Sequence, residues 1–305
     1  MNRTPLFIVL FLTLLCYVEP SRAEEDSPAQ SAGELMTVPA PRPVPRPWEL
    51  NIDTGWWPKS DSRDAGGQVG LGEFRVKLGR SIKIERRFRF TPELSYTQVE
   101  VSAPAAARLP GSLYSTTLGL RLDHQLDQSL GYSAFIAPSI AGDYRAIGSD
   151  DVRVRLGVIG RFVSSQRLTL LAGLLYTPGY HVLPVLPIIG LVYRPDERWT
   201  ISIAAPRPSV SYAVTPELKL NLNGEYNGTE YQLHQDSLGA RVVRYRDFRF
   251  TGGAEWNLAD RLTGEVAAGY AFYRKFLFYE QIGAGHPDLS IDNGPFARAS
   301  LNLRW

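Results

Sequence analysis

The residues with most chemistry to offer are basic ones spaced two apart. Arg75 and Lys77, Arg87 and Arg89, and Arg153 and Arg155 form such pairs, and Arg121, Arg161, Lys219 and Arg249 stand in similar alternating runs. In an extended strand, residues i and i+2 share a face, so these cations project from one side of a sheet. Around a closed lumen they would form basic rings that favour anions. Glu73, Glu93, Asp123, Glu225, Glu255 and Glu265 fall on the same side. Ion pairs between neighbouring strands are therefore the competing use of the same charges, filling the interior instead of lining a pore. Catalytic chemistry has fewer candidates. The four histidines are His124, His181, His234 and His286. None lies one alternation step from a Ser in the arrangement that a nucleophile and its base require. His234 and Asp236 share a polar loop and read as solvated loop residues. No HExxH or clustered His/carboxylate spacing is present. The reading is of no catalytic residue, no metal site and no cofactor.

The elements that must position those charges are strands. Gly131, Ser133, Ala137, Ser139 and Ala141 oppose Leu130, Tyr132, Ala134, Ile136 and Ile140. Arg153, Arg155, Gly157 and Arg161 oppose Val152, Val154, Leu156, Val158 and Phe162, and Lys219 to Asn227 repeats the pattern against Leu218, Leu220, Leu222 and Tyr226. In a further run, Leu262, Val266, Ala268, Tyr270 and Phe272 oppose Thr263, Glu265, Ala267 and Tyr273. Short turns at Leu126–Ser129, Ser164–Gln166, Pro195–Glu197, Thr215–Pro216 and Asn257–Asp260 alternate with longer loops, the asymmetry of transmembrane barrels. The expectation is an all-β, up-and-down antiparallel transmembrane β-barrel of about 14 strands, with 12 as the lower count. The 15 Tyr, 6 Trp and 27 Gly, with a mean hydropathy of -0.16, suit strands whose inner face dilutes the hydropathy. Tyr132, Tyr176, Tyr193, Trp199, Tyr212, Trp256, Tyr270 and Trp305 would populate two aromatic girdles.

The ends set the compartment. Arg3, the apolar run Leu6 to Leu15 and Ser21-Arg22-Ala23 predict a cleaved signal peptide over residues 1–23. Cleavage there removes Cys16, the only cysteine, and with it any disulfide or thiolate site. Residues 24–47, with Pro at every second position from Pro39 to Pro47, read as a Pro-rich periplasmic linker. The barrel occupies 48–305. Its final run, PFARASLNLRW, alternates and ends on Trp305. That strand resembles the closing strand of outer-membrane barrels, which implies Trp305 as an assembly signal read by the barrel-assembly machinery, with outer-membrane lipid as the surrounding partner. The net charge of +2 gives no reason to expect nucleic acid.

Leu168 to Tyr193 departs from alternation by being apolar on both faces. Leu171, Leu175, Leu186, Ile188 and Val192 form an apolar lumen patch, while Leu170, Leu174, Ile189 and Leu191 meet lipid. Pro178, Gly179, Pro184 and Pro187 interrupt a helix too often for it to span a membrane. Pro184 and Pro187 predict a bulge or a local gap in the ladder. The patch would serve either as a wall for a greasy ligand leaving sideways or as packing against an inward-folded loop, the commoner fate of apolar residues.

The same region carries a family resemblance. Leu183-Pro184 with Gly190, Arg194-Pro195, Pro206-Arg207-Pro208, Gly224-Glu225-Tyr226 with Gly228, Tyr245-Arg246-Asp247, and Gly269-Tyr270 with Phe272 and Arg274 resemble an uncharacterised, domain-of-unknown-function family of bacterial outer-membrane β-barrel proteins. The resemblance spans roughly residues 110–280. It implies the barrel and the outer membrane and no activity. Two functions follow as expectations: a passive channel for small anionic or amphipathic solutes, or a non-conducting structural or interaction barrel. Neither is an enzyme.

Overall fold

The fold was read from a computed structural model, which describes residues 48–64, 66–177, 185–204, 207–283 and 286–305. The signal peptide, the Pro-rich linker, Pro178, Gly179, His181, Leu183, Pro184 and Pro206 lie outside the described residues. The strands run in order β1 (Trp48–Asp61), β2 (Gln68–Arg80), β3 (Ile82–Lys83), β4 (Phe88–Ser102), β5 (Ser112–Gln125), β6 (Leu130–Gly142), β7 (Val152–Val163) and β8 (Leu168–Tyr176). They continue as β9 (Val185–Tyr193), β10 (Trp199–Ala204), β11 (Ser209–Ala213), β12 (Leu218–Gln232), β13 (Ala240–Ala259), β14 (Leu262–Gln281), β15 (Leu289–Ile291) and β16 (Gly294–Arg304). Two of them, β3 and β15, are short additions to single neighbours. The other fourteen pair antiparallel in sequence, and β16 joins both β14 and β1, closing the barrel. Trp48 and Trp305 exchange backbone hydrogen bonds of 3.1 Å, and their rings stack at 6.3 Å.

Side-chain alternation decides which face turns outward. Leu94, Leu118, Ile136, Leu156, Leu170, Leu174, Ile189, Ile203, Leu222, Phe250 and Val266 are exposed around the outside. An apolar belt this extensive suits a hydrocarbon environment rather than water. The interior takes the opposite positions, among them Asn51, Asp53, Lys77, Asp247 and Arg249, all buried.

Four short turns share one device. Asp127 accepts from the backbone N–H groups of Ser129 and Leu130 at 2.7 and 2.9 Å, and Asp196 from those of Arg198 and Trp199 at 2.8 and 3.0 Å. Ser165 and Thr215 do the same for Arg167 with Leu168 and for Glu217 with Leu218. In each case the second donor opens the next strand. A short polar side chain thus supplies the turn's missing acceptor, which is why Asp, Ser and Thr occupy this position.

One strand departs from simple alternation. Register slips between Arg246 and Phe248 of β13 as it pairs with β14, and Tyr273 takes φ 52. Alternation assigns Tyr273 to the inner face; the bulge instead leaves it 73% exposed and turns Arg274 inward, where it is buried.

The outer end of the barrel is pinched. Gln232 of β12 pairs in parallel with Gly142 of β6, two strands that are far apart around the ring. Asp143 N–H donates to the Gln232 carbonyl at 3.0 Å, and the Asp143 carboxylate accepts from His234 N–H and Gln235 Nε2, each at 3.2 Å. A Cβ on Gly142 would lie 2.8 Å from the Gln232 carbonyl oxygen and from Asp151 Oδ1, so this approach needs glycine. Strands β7 to β11, between the two, are shorter. β10 pairs β9 only at Gly190 to Tyr193, so residues 185–189 have no ladder partner on that flank among the described residues. The ladder of β8 with β9 runs through Pro187 without a register shift, and the gap beside Pro187 falls on the β10 side.

Backbone N–H donors hold the Asp127 carboxyl below its ordinary value of 3.8. A folded pKa below the unfolded one contributes stability that is complete above the unfolded value and lost as pH falls through the folded one. Asp127→Ala should therefore lower the urea midpoint of the refolded barrel at pH 7, read by tryptophan fluorescence. The deficit against the unaltered chain should close as the pH falls below 3.8.

Candidate functional site

The inward side chains divide into three zones. The long-loop end carries an apolar cap: Trp57, Leu113, Tyr231, Val243, Phe276 and Phe296 of the wall cluster with Ala107 and Leu238 from the loops and with Leu289 and Ile291 of β15. Ala107 and Leu238 sit on 3-10 turns, Ala105–Ala107 and Asp236–Leu238. His286 ties this cap together, its Nε2 2.9 Å from the Ala107 carbonyl oxygen and its ring stacked on Phe278 at 3.6 Å.

Below the cap lies a belt of ion pairs. Arg249 Nε bonds Asp247 at 3.0 Å, and its Nη1 reaches Glu73 at 3.5 Å. Glu73 also takes Arg75 at 2.6 Å. Arg298 bridges Asp53 at 3.0 Å and Glu225 at 3.4 Å, and Glu225 also holds Arg207. The network crosses from β1 and β2 to β12, β13 and β16, with the Arg249 guanidinium 4.4 Å over the Trp57 ring. Lys77 with Glu93, Arg121 with Asp123, and Lys219 with Glu255 extend the pairing towards the short-turn end.

Five of the predicted basic residues form no salt bridge among the described residues. Arg87 lies in the turn before β4 and donates to the Leu126 carbonyl at 3.1 Å; Arg89 is exposed beside it. Arg161 donates to Gln125 near the same end. At the other end Arg153 donates to the Asp150 and Val152 carbonyls and to Gln232 Oε1 at 3.2 Å. Arg155, two residues on, is exposed within the lumen.

The third zone is the inner wall of β7 to β10. Leu171, Ile188 and Val192 are buried and cluster with Ile159, Ala204 and Leu175. These residues pack on one another across neighbouring strands; Leu186 remains 42% exposed. A cavity of about 330 Å³ lies along this zone and the belt. It reaches from Thr91 and Arg121 near the short-turn end to Arg153 and Glu230 near the long-loop end, with Arg75, Lys77, Arg155 and Arg249 in its lining. Arg87, Arg89, Arg161 and Lys219 lie outside that lining.

Some members of the site escaped the sequence reading. Asp53 and Asp247 lie on the inner face, a placement alternation could have given. Arg207 stands between strands, where no alternation identifies it. His234 faces Asp151, with Nε2 3.0 Å from Oδ1, rather than forming a unit with Asp236.

A family model described as a domain of unknown function (DUF6268) matches residues 74–282, more than half of the sequence. The chain belongs to this family. The match extends further towards the N-terminus than the motifs quoted above. No curated protein matches the sequence. Among solved structures, the TodX deltaS2S3 mutant monoaromatic hydrocarbon channel superposes with a TM-score of 0.52 at 10% identity, covering 90% of this chain and 95% of that one. The COG4313 outer membrane channel from Pseudomonas putida F1 gives 0.48 at 12% identity, covering 88% and 100%, and a Pseudomonas aeruginosa FadL homologue gives 0.47 at 10%, covering 84% and 89%. At such identities the likeness concerns the fold: this DUF6268 member is a fourteen-strand barrel of the kind that outer-membrane channels use.

The belt and the free arginines should respond differently to truncation. Arg249→Ala strands the Asp247 carboxylate in the interior and leaves Glu73 with Arg75 alone, and removing one partner of a buried pair costs roughly 3–5 kcal/mol. Arg155→Ala should leave the urea midpoint unchanged within error, because no described partner is stranded.

Proposed function

We propose that this barrel is a passive outer-membrane channel for small solutes, anionic or amphipathic, delivered to the membrane by a cleaved signal peptide. The observation that supports it most is the cavity running most of the lumen's length beside the ion-pair belt. The belt neutralises the charges in its middle. Arg153 and Arg155 form no salt bridge at one end, and Arg87, Arg89 and Arg161 none at the other, so cations remain near both ends. Clefts of one sign concentrate the opposite ion. The apolar inner wall supplies the surface for an amphipathic solute. Trp305 acts earlier, as the aromatic assembly signal; in the closed barrel it is stacked on Trp48.

The apolar cap favours a second reading, a non-conducting barrel that presents its loops. Planar-bilayer recording of the refolded mature chain separates the two. A channel gives stable steps with a reversal potential shifted towards anions, and Arg153→Glu with Arg155→Glu reduces or reverses that shift. Deleting residues 28–47 leaves the steps unchanged. A silent barrel that still migrates heat-modifiably on a gel supports the scaffold instead.

A further inference from the structure

We propose that the lumen between β6 and β9 holds a binding site for a small anionic amphiphile, its head on Arg155 and its alkyl chain on Phe135, Ile159, Leu175 and Ile188. The inference deepens the channel reading and rests on the lumen being a solute compartment.

The register brings these residues together. Along β7 the inward positions run Arg155, Gly157, Ile159, a span of about 14 Å at ~3.4 Å per residue. Gly157 carries no side chain, and the ring of Phe135 takes the space: a Cβ there would meet it at 2.6 Å. Gly157 pairs with Leu175, while Gly173 pairs with Ile159 on one side and Ile188 on the other. Ile159, Leu175 and Ile188 therefore surround one side-chain-free position. All of them line the same cavity as Arg155.

The charge census singles out Arg155. The other bases of the cavity lining are held: Arg75, Lys77, Arg121, Arg207 and Arg249 by carboxylates, and Arg153 by two carbonyls and Gln232. Among the basic residues of that lining, Arg155 alone has no hydrogen-bond or ion-pair partner among the described residues, and it is exposed into the space. A guanidinium offers paired donors suited to a carboxylate. An apolar surface beginning one alternation step away gives the chain of that same molecule a place out of water. A neutral hydrocarbon would leave the cation unused, and a small inorganic anion would leave the wall uncovered.

Two photoreactive probes test the site: decanoic acid and decanol, each carrying a diazirine on its chain. Both are offered to the mature barrel in lipid nanodiscs, and labelled peptides are mapped by mass spectrometry. The acid should label peptides containing Ile159, Leu175 or Ile188, with saturation, and decanoate should compete. Arg155→Gln should raise the half-saturating concentration of the acid at least tenfold and leave that of the alcohol unchanged. Ile188→Asn should weaken both, while a heat-modifiable gel shift reports that each variant is folded. Equal labelling by the acid in the unaltered barrel and in Arg155→Gln would overturn the proposal, as would labelling confined to the lipid-facing surface. Bilayer recording on the same preparations separates this site from the channel reading. A conducting barrel without lumenal labelling removes the site alone, whereas a silent barrel with saturable, Arg155-dependent labelling keeps the site and removes the channel.

Discussion

A β-sheet in hydrocarbon cannot keep a free edge, because each unpaired N–H or C=O would go without a partner in a medium that supplies none. In this chain the requirement is met where its first described residue meets its last: Trp48 and Trp305 exchange backbone hydrogen bonds, and β1 and β16 pair along their lengths from there. Closure has a consequence for the interior. Each strand that turns an apolar face to lipid turns its alternate residues inward, and these include many of the chain's charged side chains. Buried charges need partners, and the belt joining Asp53, Glu73, Glu225 and Asp247 to Arg75, Arg207, Arg249 and Arg298 provides them. The few cations the belt does not reach thereby become the ones available to a solute.

The lumen is asymmetric because the strands are unequal. Long strands β12 to β14 carry the wall outward, while β8 to β11 stop early. Contact between Gly142 and Gln232 bypasses the short strands and narrows the outer end, and loop residues can then complete an apolar cap there. On the short side the inner face has few charges. Its Leu and Ile side chains pack against one another and need no ion pairing, so the cavity has one charged flank and one apolar flank.

Much of this was legible in the sequence. Alternation identified the barrel, the strand number and the side on which most charges lie, because a single pleat rule governs every strand. It misplaced Tyr273, where one residue in the left-handed region shifts the register and exchanges the faces beyond it. The turn signal at Asp127, Ser165, Asp196 and Thr215 was present as a spacing of three to the next strand, and composition alone gave only the turns' positions. Pairing was the least legible part. Whether Arg75 is free or matched to Glu73 depends on rotamers and on Arg249 of β13, which claims the same carboxylate, and the meeting of Gly142 with Gln232 joins two strands with five others between them in the chain. Arg207 entered the lumen from between strands, where periodicity carries no information.

The central claim is that most of the lumen's cations are neutralised internally and that Arg153 and Arg155 are the ones left to meet an anion in the cavity. Bromide-soaked crystals of the refolded barrel, with anomalous diffraction, test this directly. The account predicts halide peaks in the lumen beside Arg155 and Arg153 and none within the belt at Arg75, Arg249 or Arg298. Peaks at the belt, or a lumen in which Arg155 attracts no halide, would contradict it.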